Sequence, residues 1–152
     1  MKPRMKTKYW INTITLDHVQ AGETGGFTQA NHGNPRNLNK LQRGDYMVFY
    51  SPRENFEGSI ALQAFTALGQ VSDDEPYQVE QDVDFHPYRR GMGFLRCDQV
   101  PIRPLINKLS FIKNKTHWGM MFRQGMFEIP ESDFAIIAEE MKVEIVPLEH
   151  RV

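Results

Sequence analysis

Apolar residues in this chain come in short runs. Each is cut off within a few residues by Gly, Pro, Asn or Asp, and only the last segment keeps a helical period. Punctuation of this kind belongs to short strands joined by turns and brief helices, not to a bundle of long helices. Tyr9–Leu16 (YWINTITL) is aromatic and β-branched and predicts a strand. Asp17 stands where an N-cap belongs, before a short helix over His18–Ala21 that Gly22, Gly25 and Gly26 end. Phe27–Asn34 reads as a loop, and Pro35–Leu41 as a second short helix with Pro in its first turn. Arg43-Gly44-Asp45 turns the chain into Tyr46–Ser51, a continuous apolar run that predicts a central strand.

Pro52–Gly58 is a polar loop. Ser59–Val71 predicts a long strand or bent pair, with Gly69 as a bulge position. A short strand over Tyr77–Val79, a strand region over Arg90–Val100, a helical turn over Pro104–Leu109 and a last strand at Phe127–Ile129 follow. Lys113–Gly119 is a loop and Met120–Phe122 a short apolar piece. The best helix comes last. Pro130-Glu131-Ser132-Asp133 starts it with acids that suit the positive end of its dipole, and Phe134, Ile137, Ala138 and Met141 share one face. The expected fold is α+β: a small curved mixed or antiparallel β-barrel of about five to six strands, with short inserted helices and a closing C-terminal helix. The organisation expected is a basic N-terminal tail over residues 1–8, one domain over 9–143 and a C-terminal tail over 144–152.

Charge excludes less by its sum than it indicates by its placement. Eighteen Lys and Arg meet nineteen Asp and Glu, for a net charge of −1. Yet Met1–Leu16, Thr24–Gly44, Phe85–Cys97 and Gln99–Phe127 contain no acid, while acids gather at Asp73–Asp84 and Glu128–Glu144. Such segregation predicts a basic face and an anionic partner. No apolar run approaches the roughly twenty residues a membrane span needs, which argues against a membrane partner. The basic start lacks an apolar segment behind it, and Cys97 is the only cysteine, so a cytoplasmic location is expected.

Catalytic constellations are scarce. His18, His32, His86, His117 and His150 have no metal-ligand spacing to one another or to Cys97, and no phosphate-cradling glycine motif is present. The chain reads as a binding protein without metal or cofactor; an enzyme using His32 or His86 as general base is the lesser reading. What remains is aromatics interleaved with cations. Lys113, Lys115 and His117 alternate ahead of Trp118, Phe122 and Arg123, and His86-Pro87-Tyr88-Arg89-Arg90 has the same character. Cations hold phosphates and flat rings receive unstacked bases.

Ordered motifs add to this. They are YWI at Tyr9–Ile11, GFTQxxHG at Gly26–Gly33, GDxxxxYSP at Gly44–Pro52, HPYRR at His86–Arg90, FIKNKxxWG at Phe111–Gly119 and EIPxxDFxxI at Glu128–Ile137. Together they resemble the EVE-domain family over roughly Tyr9 to Met141. The resemblance implies a PUA-like fold and kinship with YTH domains, which hold a methylated adenine of RNA in an aromatic cage. It implies a reader of DNA or RNA that takes a modified base, with a small-molecule or nucleotide binder as the alternative. By the same resemblance the base pocket lies along Asn12 and Thr13 and then Phe27, Thr28 and Gln29, with Phe27 as the cage aromatic. Trp10 or Trp118 is expected as a second wall, and Tyr50, Ser51 and His32 as polar contacts. Arg36, His86, Arg89, Arg90, Lys113, Lys115 and Arg123 are the expected phosphate ligands.

Overall fold

A computed structural model describes residues 6–30, 34–55, 57 and 60–145. The chain runs β1 (Tyr9–Thr13), α1 (Leu16–Gly25), β2 (Phe27–Ala30), α2 (Arg36–Asn39), β3 (Tyr46–Arg53), β4 (Ala61–Val71), β5 (Tyr77–Gln78), β6 (Tyr88–Phe94) and β7 (Val100–Pro101). Two 3-10 segments follow, Arg103–Leu105 and Trp118–Gln124, then β8 (Met126–Ile129) and α3 (Glu131–Glu140). The strands form one curled mixed sheet in the order β2-β6-β4-β3-β1-β8, with β5 added on β6 and β7 on β4. β1 and β3 run parallel and every other pairing is antiparallel.

β3 explains why the sheet has two cores. Its first six residues are all buried, as expected of a strand covered on both faces. Period-two alternation sends Tyr46, Val48 and Tyr50 to one core, with Ile11, Phe65, Leu68, Phe122, Phe134 and Ile137. Met47 and Phe49 go to the other, with Trp10, Val19, Leu38, Leu41 and Met92. The first core lies under α3, whose Phe134, Ile137 and Ala138 are buried as the helical spacing predicts. Asp133 fastens that helix in a way its sequence position alone does not reveal. Its carboxylate, 2% exposed, accepts from the Ser110 amide (2.9 Å), the Ser110 hydroxyl (2.8 Å) and the Phe111 amide (3.0 Å).

The structure corrects several expectations. β1 stops at Thr13, and α1 runs from Leu16 through Gly22 to Gly25. Gly22 does not break the helix: a Cβ there collides with the Phe27 carbonyl, so its bare Cα lets β2 cross close by. The N-cap position is Thr15, not Asp17; Asp17 accepts from the Thr15 hydroxyl and the His18 amide within the first turn. Gly26, at φ 74°, is the left-handed cap that ends α1. Phe27–Ala30 is a strand, not a loop, because β6 offers it an antiparallel partner that no local pattern announces. β6 starts at Tyr88 and ends at Phe94, and β7 is separate. The β3–β4 pairing is irregular twice: at Thr66, between the pairs Phe49–Ala67 and Tyr50–Phe65, and again between Ser51–Ala64 and Arg53–Ala61. Gly69 stays in register and serves Met92, whose Cγ lies 2.8 Å from where a Cβ would stand.

Candidate functional site

A cleft of about 530 Å³ opens on the second face of the sheet, between α1, β2 and the segment leading into β6. That volume is within the usual range for small-ligand sites. Phe27, Phe49, Phe85 and Phe94, with Ile14 and Val19, supply apolar walls. Thr13, Thr15, His18, Thr28, Gln29, Gln81 and Arg89 supply polar groups, and among the described residues no lining residue is a carboxylate.

Local structure fixes the key aromatic. Gly26 drops the chain from α1 into β2, so Phe27 is the first strand residue, opposite Gly91. Gly25 lies against its ring: a Cβ there overlaps Phe27 Cε2 and comes within 2.7 Å of Cδ2. Gln29 shares the face of Phe27 by strand alternation and pairs in register with Arg89. That register puts Arg89 diagonally across from Phe27, within reach of a long side chain. The Arg89 guanidinium carbon lies 3.8 Å from the Phe27 ring centroid, and its Nε donates to Gln29 Oε1 at 2.8 Å. The result is a guanidinium held over an aromatic ring by an amide.

Polar groups line the floor. Thr28 is 3% exposed, and its hydroxyl accepts from Asn12 Nδ2 at 3.2 Å. Thr13 donates its amide to the Gly125 carbonyl at 2.6 Å. Its hydroxyl oxygen is buried and has no hydrogen-bond partner among the described residues. A second cleft of about 410 Å³ adjoins the first, and the two share Thr13, Ile14 and Gln29.

The residues expected from sequence separate into two groups. Asn12, Thr13, Phe27, Thr28, Gln29, Arg36 and Arg89 line one cleft or the other. Trp10, Tyr50, Ser51 and Trp118 do not line either. Trp10 packs in the second core and donates Nε1 to buried Asp45 at 3.0 Å; Asp45 also accepts from the Lys8 and Gln42 amides. Tyr50 faces the first core, stacked on Phe122 at 4.1 Å, and burial pushes its phenol up to about 12. Trp118 lies edge-on to Tyr50, with Arg103 over its ring. Ser51 is fully buried, hydrogen-bonded to Thr66 Oγ1 at 2.7 Å. His32 lies outside the described residues.

Two expected phosphate ligands are spent on the fold. Arg90 is 1% exposed; it pairs with Asp73 at 2.5 Å and donates to the Leu38 and Leu41 carbonyls at 2.7 Å each. Lys115 donates to the Ile106 and Leu109 carbonyls at 2.9 Å each. Arg36, Lys113 and Arg123 are exposed, as is His86, whose ring meets the Val83 carbonyl. The cleft residues missed by sequence include Ile14, Thr15, His18, Phe49, Gln81, Phe85 and Phe94. For Phe49 a signal existed: in β3 it alternates with Tyr50, so one of the two had to face away from α3.

Comparison with known proteins gives one consistent picture. The EVE-domain family model matches residues 8–140. A UPF0310 protein of Mycobacterium avium is 54% identical over 132 residues, spanning 87% of this chain and 96% of the relative. The UPF0310 protein YdcG of Bacillus subtilis is 37% identical over 141 residues, 93% of this chain and 97% of its own. Among solved structures, the YTH domain of a Zygosaccharomyces rouxii protein in complex with N6-methyladenosine RNA superposes with a TM-score of 0.56 at 14% identity. That match covers 95% of this chain and 93% of the YTH chain. Protein Atu2648 of Agrobacterium tumefaciens has a TM-score of 0.54 at 15% identity, over 90% of this chain and 94% of its own. The shared architecture is therefore that of YTH domains.

Proposed function

The chain belongs to the EVE-domain family, and we propose that it is a nucleic-acid reader that takes a methylated base into the Phe27–Arg89 cleft. The observation that carries this reading is the Arg89 guanidinium held over the Phe27 ring in an aromatic cleft with no carboxylate among its described lining residues. Nucleic-acid sites use aromatic rings and Arg guanidinium planes alike as stacking platforms for unpaired bases. A base extruded from its strand stacks on this platform, and Thr28, Gln29 and Gln81 meet its edge. Arg36, at the adjoining cleft, contacts the backbone. No covalent step is required, so the chain acts by binding. The YTH domain noted above was solved with N6-methyladenosine RNA, which supports a methylated base as ligand.

A free nucleotide in the same cleft is the second reading. It is favoured because Arg89 is the one Lys or Arg among the described residues of the cleft lining. Salt separates the two. Binding to short single- and double-stranded oligonucleotides, unmodified and methylated, is measured at about 50 and 200 mM salt, a range over which multi-phosphate contacts weaken steeply. Salt-sensitive binding with preference for one methylated base supports the reader. Binding of free nucleotides alone, with oligonucleotides inert at both salts, overturns it.

A further inference from the structure

We propose that the second cleft is a subsite for the nucleotide next to the one read, so that the protein's ligand is a two-nucleotide step of a single strand and not an isolated base. The inference rests on the reader function proposed above. Its basis is the way the two clefts join. They share a wall made of Thr13, Ile14 and Gln29, so one ligand can run from one to the other without leaving the surface.

Their chemistry differs in the way consecutive parts of a nucleotide chain differ. The first cleft is aromatic. Among the described residues lining the second, of about 410 Å³, there is no aromatic; amides dominate, from Asn12, Asn34, Asn37 and Gln29, and Arg36 is the one Lys or Arg. Side-chain amides carry donor and acceptor together, which suits the edge of a base or a sugar hydroxyl. A guanidinium suits a phosphodiester. No carboxylate is among its described lining residues either, so none there repels an anionic backbone.

The joint between the clefts is itself unsatisfied. Thr13 Oγ1 is buried with no partner among the described residues, and Thr13 is common to both linings. A buried hydroxyl left without a partner is costly. A turn of the Thr13 side chain toward a ligand lying across the joint would give it one. The backbone is arranged to hold this geometry: Thr13 is anchored through its amide to the Gly125 carbonyl, and Asn34 Oδ1 accepts from the Arg36 amide at 2.9 Å. Gly125, at φ 78°, faces open space on the same cleft, which leaves room beside Thr13.

The test takes the oligonucleotide that binds best among methylated single strands and shortens it to the trinucleotide, the dinucleotide and the 5′-mononucleotide. Each is titrated by calorimetry into the intact protein and into the double variant Arg36→Gln/Asn37→Ala. Both positions are exposed, so the variant is expected to fold, and its thermal midpoint is checked. In the wild type, affinity drops at least tenfold from dinucleotide to mononucleotide. In the variant that drop shrinks to less than threefold, through loss of dinucleotide affinity. A wild type that binds mono- and dinucleotide alike, or a variant that keeps the full drop, overturns the second subsite and leaves the base cleft standing. Absence of binding by every oligonucleotide is the separate failure of the reader itself.

Discussion

The Arg89 guanidinium lies over the Phe27 ring with its carbon 3.8 Å from the ring centroid, while its Nε is held by Gln29 Oε1 at 2.8 Å. Three residues on two paired strands thus make one surface, and none of them is a buried core residue. Base–aromatic stacking contributes about 1–3 kcal/mol. Phe27→Ala is therefore expected to weaken binding of the preferred oligonucleotide about tenfold to a hundredfold. Arg89→Lys keeps the charge and loses the plane, so it is expected to fall between wild type and Phe27→Ala with an unchanged salt slope. Fluorescence anisotropy at two salt concentrations measures both; Phe27→Ala binding like wild type removes the platform from the mechanism.

Gly25→Ala separates binding from stability. In an exposed helical position this change ordinarily stabilises by about 0.5–1 kcal/mol. Here the new Cβ overlaps the edge of Phe27, which has to swing aside. Moving the end of one half-buried side chain costs little stability, yet it displaces the wall of the cleft. The thermal midpoint is expected to change by only a few degrees while oligonucleotide affinity falls about tenfold, a loss comparable to that of one stacking contact. Unchanged affinity in this variant means that the ring position is immaterial.

Arg89 and Arg90 are sequence neighbours with opposite fates. Arg90 lies on the other side of β6, 1% exposed, and joins Asp73 to the carbonyls of Leu38 and Leu41. Removing one partner of a buried, hydrogen-bonded ion pair costs about 3–5 kcal/mol. Arg90→Ala is expected to lower unfolding free energy by that amount in urea denaturation. Arg89→Ala is expected to lower it by under about 1 kcal/mol, because its partners stay in reach of water. Equal losses from the two substitutions contradict the assignment of one to the fold and the other to the cleft.

Sequence patterns carried the frame and failed where long-range pairing decides. The apolar run of β3 and the spacing of Phe134, Ile137 and Ala138 identify a central strand and the closing helix, because burial imposes a period there. The family motifs placed Phe27 and Thr28 beside Asn12 and Thr13, which the structure brings together. β2 was illegible because its strand state comes from β6, about sixty residues away, and not from its own residues. The two tryptophans misled for a related reason. A large aromatic serves a core as readily as a ligand, and only the Asp45 carboxylate under Trp10 and the Tyr50–Phe122 stack beside Trp118 decide between them. Phe94 joins the cleft from the end of β6 and Phe85 from the segment before it, and neither position carries a local mark.

Tyr50 ties the first core to pH. Its side chain is 3% exposed and stacked on Phe122, and burial pushes its phenol up to about 12, with Arg103 pulling weakly the other way. An unfolded tyrosine titrates near 10. Because the folded value is the higher one, the unfolded state gives up its proton first as pH rises. The stabilisation is fully present below about pH 10 and is lost between about 10 and 12, amounting to roughly 2–3 kcal/mol over those two units. Urea unfolding followed from pH 8 to 11 is expected to show a decline that Tyr50→Phe lessens, since phenylalanine has no proton to lose. A Tyr50→Phe protein whose stability falls with pH as steeply as wild type locates the alkaline transition elsewhere. In the same variant, oligonucleotide affinity at neutral pH is expected to match wild type, because Tyr50 faces the core under α3 and not the cleft.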